Sequence, residues 1–127
     1  MDQEIMMKAQ QFDNRIKELH ENLEFIDSQV SELDLFKSSI ADFSKFEGNE
    51  IISSIGKGVH IPAEIKSKEL LLEVGAGIVL KKTPEQALSI IDSQISRIKE
   101  ARINILSEID FCQTEFQSII KKLKFER

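Results

Sequence analysis

Tryptophan and tyrosine are absent, so the aromatic content rests on eight phenylalanines, whose rings make apolar contact and carry no hydrogen-bonding tip. The single cysteine, Cys112, cannot close an internal disulfide, which fits a reducing compartment and an expected cytoplasmic location. Phe111 and Gln113 give its thiol no electropositive neighbour, so it reads as a small core hydrophobe and not as a nucleophile. Long apolar runs are missing too: none approaches the ~20 residues that span a bilayer. The opening MDQEIMMKAQQ lacks the basic and then apolar order of a secretory signal, so no membrane partner is expected.

Basic charge is scarce where nucleic-acid binding would need it. The net charge is -5, and residues 1–47 hold eleven acids against five bases. A polyanion is a poor partner for such a surface. The small basic group Lys121, Lys122, Lys124 and Arg127 answers the dipole at a helix C-terminus. Catalytic chemistry is also absent. Gly56-Lys57-Gly58 lacks the earlier glycine and the following hydroxyl of a phosphate loop, and Gly75-Ala76-Gly77 leads into a strand, so both read as tight turns. His20 and His60 fall in different elements with no carboxylate or cysteine at ligand spacing. No enzyme activity, metal or cofactor is expected.

What the chain does contain is two narrow apolar stripes. Ile5, Ala9, Phe12, Ile16, Leu19, Leu23, Ile26, Val30 and Leu33 alternate steps of four and three, the 3.5-residue period of a coiled-coil seam. Lys37 then stands where an apolar residue is due, Ile40 resumes the stripe, and Phe36, Phe43 and Phe46 surround this interruption. It reads as the point where the helix leaves its partner. Gly48 and Asn49 suit a helix end. Thr83-Pro84-Glu85-Gln86 opens a second helix, with Thr83 as N-cap and Gln86 closing a capping box. From Leu88 to Leu123 a second stripe runs through Ile91, Ile95, Ile98, Ile105, Ile109, Cys112, Phe116 and Ile119, with Arg102 its one charged member. Two such stripes in one chain bury each other as an antiparallel coil. Layers whose residue numbers total about 128 would leave the chain ends flush; a shift of one heptad, to a total of about 135, also matches the stripes but leaves the first helix overhanging.

Between the helices the period changes to two. Val59, Ile61, Ala63 and Ile65 alternate with His60, Pro62 and Glu64, and Ile51, Ile52 and Ile55 precede them. Leu70, Leu72 and Val74, then Ile78 and Leu80, repeat the alternation around Gly75 and Gly77. Two consecutive hairpins follow. The helical stripes are used on each other, and isolated hairpins are marginal in water, so this segment is expected to pair with other chains. The fold class is therefore α+β, mainly α: a long antiparallel two-helix coiled coil with two β-hairpins at its root. The expected layout is one domain over 1–127, with helices at 1–47 and 83–127 and the hairpins at 48–82.

The order of helix, two hairpins and returning helix resembles the alpha-class subunit of prefoldin over the whole chain. Val59-His60-Ile61-Pro62-Ala63-Glu64-Ile65 resembles the family's proline-bearing second strand, Leu72 to Lys82 its Val-Gly-x-Gly turn, and Thr83 to Ala87 its Thr-x-x-x-Ala helix start. Ser53 and Ser54 depart from it, standing where apolar and proline residues are frequent. The resemblance implies an ATP-independent holdase in which two alpha-class and four beta-class subunits join their hairpins into a β-barrel carrying six coiled coils. It also implies that unfolded protein is held at the coiled-coil tips and passed to a group II chaperonin. Ile51, Ile55, Val59, Ile61, Ala63, Ile65, Leu70, Leu72, Val74, Ile78 and Leu80 are then the candidate oligomerisation residues.

The candidate client-binding residues are Ile5, Met6, Met7, Phe12, Phe116, Ile119, Ile120, Leu123 and Phe125. Five of them also fit the seam, so Met6, Met7, Ile120 and Phe125, which lie off it, are the sharper candidates. Methionine's flexible, polarizable side chain suits a surface that accepts many apolar partners. By helix length this set lies roughly 60 Å from the hairpins. The competing reading is a structural subunit, either of a self-assembling filament or of a prefoldin-like scaffold.

Overall fold

A computed structural model describes residues 2–125 of the chain, with side chains to Lys124. The elements are α1 (Asp2–Lys45), β1 (Glu50–Gly56), β2 (Val59–Glu64), β3 (Leu70–Glu73), β4 (Val79–Lys82) and α2 (Pro84–Phe125). The residues fall into two compact units, Met1–Glu32 with Gln94–Arg127, and Leu33–Ser93.

The first unit is helix against helix. Leu19, Ile109 and Cys112 form its buried centre, with Phe12, Ile16, Leu23 and Ile105 packed on it. Only the narrow seam is covered, as a 3.5-residue repeat requires. This cluster contains Leu19 with Ile109 and Ile16 with Cys112, the residues that a layer total of about 128 would pair. Burying a side chain as fully as Leu19, 1% exposed, contributes about 1.5–3 kcal/mol. Charged groups flank the seam. Arg15 donates through Nε and Nη2 to Glu108 Oε1 at 3.0 and 2.7 Å, and this hydrogen bond raises the guanidinium pKa further. Arg102, the charge in the second stripe, donates from Nε to Asp27 Oδ1 at 2.7 Å.

In the second unit the seam does not open at Lys37, contrary to the expectation from the sequence. Lys37 Nζ lies 2.6 Å from Asp92 Oδ1, so the cation is answered across the helices and the pairing continues. Ile40 and Ile91 are buried beyond it, and Ser44 Oγ donates to Glu85 at 3.4 Å. The end of α1 also differs. Gly48 has no positive φ. Its role is space, because a Cβ there would meet Phe46 Cζ at 2.8 Å. At the start of α2 the capping box is present in full: Gln86 N donates to Thr83 Oγ1 at 3.2 Å, and Thr83 N donates to Gln86 Oε1 at 3.0 Å.

The strands form two separate antiparallel hairpins, β1 with β2 and β3 with β4. In the first, Ile51 faces Ala63 and Ser53 faces Ile61, and Ile55 is the extra residue of a bulge before Gly56. Asn49 O accepts from Ile65 N at 2.6 Å, adding one rung beyond Glu50 and Glu64. In the second, Leu72 faces Leu80, and Val74 N donates to Ile78 O at 3.0 Å. Ile78 N closes the turn on Gly75 O, with Ala76 and Gly77 both at positive φ, as the twist of a two-residue hairpin loop favours. Ala76 and Lys57 enter that region without being glycine.

Candidate functional site

Two surfaces carry apolar side chains that their own unit leaves uncovered. The larger is on the hairpins. Antiparallel pairing puts directly opposed residues on one face, so Ile51, Ile61 and Ala63 share a face of the first hairpin. Leu70, Leu72, Val74, Ile78 and Leu80 share one on the second. Val59 stands opposite Gly56, past the bulge that holds Ile55. Of these residues Ala63, Leu70 and Leu72 are half-buried, as is Ile65 just after β2, and the others are exposed. All the candidate oligomerisation residues thus lie on the hairpins or directly beside them.

The opposite faces, though mostly polar, also carry open apolar side chains, which alternation alone did not reveal. Ile52 is 75% exposed and Leu71 69%, and Val79 is also open. Ile52 stands opposite Pro62, flanked by the facing carboxylates Glu50 and Glu64, and Leu71 stands opposite Lys81. The runs Ile51-Ile52 and Leu70-Leu71-Leu72 were the available signal: adjacent apolar residues in a strand point to opposite faces. A hollow of about 830 Å³ lined by Glu50, Ile51, Ile52, Pro62, Ala63 and Glu64 marks the base of the first hairpin.

The second surface belongs to the helix pair near the chain ends. Met6, Ala9, Phe116, Ile120 and Leu123, with Gln10 and Asp13, line a hollow of about 300 Å³. The structure therefore brings Met6 and Ile120 together, while Met7, 64% exposed, lies outside that lining. Ile5, Phe12, Phe116, Ile119 and Leu123 are half-buried, and so is Ile120, although it lies off the stripe. Phe125 closes α2, and its side chain lies outside the described residues. Phe25, Ile103 and Phe111 are additional exposed apolar residues of this unit, placed off the seam and so invisible to a search for stripes.

Among the described residues no three metal-binding side chains gather. No described helix is long and apolar enough to cross a membrane.

Comparison with known proteins places the same architecture in a family. Residues 12–124 match the family model for a prefoldin subunit. The chain is 28% identical over 81 residues to prefoldin subunit alpha 2 of Thermococcus kodakarensis, a match covering 63% of this chain and 57% of that protein. It is 21% identical over 118 residues to prefoldin subunit alpha of Methanocorpusculum labreanum, covering 91% and 80%. The Archaeoglobus fulgidus prefoldin subunit alpha is 23% identical over 114 residues, covering 83% of each chain. In fold, the chain is similar to filamentous PFD from Methanocaldococcus jannaschii, with TM-score 0.77, 16% identity, and coverage of 91% of this chain and 98% of that one.

Proposed function

Because the chain belongs to the prefoldin family, we propose that it is an alpha-class chaperone subunit that joins other prefoldin subunits through its hairpins and holds unfolded protein near its chain ends. The observation that carries this reading is the uncovered apolar surface of both hairpins. Side chains such as Ile52 and Leu71 remain open in the single chain, and removing that area from water stabilises an assembly. Partners of the beta class, in the ratio of two alpha to four beta, fit the resemblance of the strand and turn motifs. The closed product is then a β-barrel platform.

Client capture draws on the hollow shared by Met6 and Ile120. Each such side chain contributes roughly 1.5–3 kcal/mol when fully buried, before the costs of ordering, so several together give a useful and reversible grip. No nucleotide chemistry enters the scheme, and release to a group II chaperonin completes it. Cytoplasmic location follows from the same reading.

The test replaces Met6, Met7, Ile120 and Phe125 with Ser and follows aggregation of an unfolded protein by light scattering. Helicity and oligomeric size are expected to stay near wild type while protection falls. A variant that protects several clients as well as wild type overturns the client-site reading. A second reading, self-assembly into a filament, is favoured by the fold similarity to the filamentous protein. Size-exclusion with light scattering separates the two: a filament former grows alone, whereas the proposed subunit closes only with a beta-class partner.

A further inference from the structure

We infer that Lys68 acts as a pin between the end of α1 and the strand segment, fixing the direction in which the hairpins are presented. This rests on the hairpins being the assembly surface. Lys68 lies in the link 65–69 between β2 and β3, and its ammonium is the meeting point of four groups. It donates to Phe43 O at 2.8 Å and to Phe46 O, and it sits 4.6 Å from the Phe43 ring centroid and 5.2 Å from that of Phe46.

The physical need is on the helix side. The last turn of a helix leaves carbonyls without partners, and a residue at positive φ just past the end commonly satisfies them. No residue from Phe46 to Asn49 has positive φ, so α1 lacks that cap. Phe43 O accepts from Phe46 N at 3.2 Å, and a cation from a distant part of the chain adds a second donor there and supplies one to Phe46 O, at the helix end where the dipole favours positive charge. The two rings hold it from their faces by cation–π attraction.

Gly48 contributes to the same arrangement, because the Phe46 ring occupies the space where a Cβ would otherwise stand. On the strand side, the link is short and locally ordered, with Glu69 N donating to Ser67 Oγ at 3.1 Å and Ile65 N to Asn49 O. Among the described residues, no other side chain of the strand segment hydrogen-bonds to α1. An ammonium held by two carbonyls and two rings therefore limits how far the link, and the hairpins on either side of it, can swing. Such preorganisation strengthens assembly by lowering the ordering cost, without adding a contact to the partner.

The experiment uses the full chain and the variants Lys68→Met, which keeps the stem and drops the charge, and Lys68→Arg, which keeps donors and ring stacking. Hydrogen exchange of the chain alone is expected to quicken about tenfold at residues 43–49 and 65–70 in Lys68→Met, and to stay unchanged at 12–30 and 98–116. Lys68→Arg should remain near wild type. Association with a beta-class prefoldin subunit should weaken about tenfold in Lys68→Met, with helicity unaltered, and recover in Lys68→Arg. Faster exchange confined to 43–49 would reduce Lys68 to a helix cap and overturn the inference. Looser exchange at 65–70 with undiminished association would overturn its role in assembly. Failure of the wild type to associate would strike the assembly reading alone, because the exchange measurement needs no partner. Gly48→Ala gives an independent check: by displacing the Phe46 ring it should reproduce part of the Lys68→Met exchange change with the lysine intact.

Discussion

Leu19 in the helix pair and Ile52 in the first hairpin are both aliphatic, yet one is 1% exposed and the other 75%. The helix pair satisfies itself. Its stripe has a complementary stripe in the same chain. The hairpins have no such complement, because two-stranded sheets offer two faces and two edges and most of their apolar side chains stay exposed. Self-burial gives one region a stability of its own, and open burial potential gives the other a reason to associate. Substitutions of the same kind should therefore read out in different experiments.

The largest effect is expected from Ile61→Asp or Val74→Asp in the hairpins. Both sites are exposed in the single chain, so helicity and unfolding of the isolated protein should barely move. Burying an unpaired carboxylate in an assembled β-core costs about 3–5 kcal/mol, enough to abolish co-assembly measured by size-exclusion. Normal co-assembly of either variant would show that the face is not the interface.

In the helix pair, Leu19→Ala should do the reverse. Its cavity costs about 2–5 kcal/mol in urea or thermal unfolding, while the hairpins keep their ability to bind. If Leu19→Ala unfolds like wild type, the core is not where the structure places it.

Thr83→Ala, which removes the oxygen that accepts from Gln86 N, should cost about 1 kcal/mol at the junction of hairpin and helix. Denaturant midpoints would register it. A companion change, Gln86→Ala, should add little to it, since each removes one half of the same box.

The smallest effect concerns the charge within the seam. The hydrogen bond to Asp92 raises the pKa of Lys37 above its ordinary value. A raised lysine contributes its stabilisation in full below about pH 10.4 and loses it as pH climbs through the raised value. The pair is well exposed, so an unfolding curve should show only a slight extra loss above that pH. Lys37→Met should erase that loss and leave neutral-pH stability equal or improved, since a seam position then receives an apolar residue. A marked drop at pH 7 would show that the ion pair, not the stripe, holds this layer.

Much of the architecture is written in spacing. The 3.5-residue stripes, the Thr83 to Gln86 box and the alternation after Val59 each have a local cause: a side-chain period or a hydrogen bond spanning three residues. These local causes set the order of elements and the antiparallel pairing of the helices. The candidate surfaces were half legible. Met6 and Ile120 could be placed off the seam from their numbers, but their meeting in one hollow depends on how two helices pass each other.

Other features were decided by contacts between residues far apart in sequence, which no local period encodes. Lys37 read as a break in the stripe, and Asp92 turned it into a rung. Gly48 read as a cap, and the ring of Phe46 made it a vacancy that had to stay small. Nothing in the spacing of Lys68 hinted that it would close the end of α1, since its partners lie more than twenty residues away and two of them are main-chain carbonyls. Backbone acceptors are the same in every residue, so their choice of donor is settled only when the chain has folded.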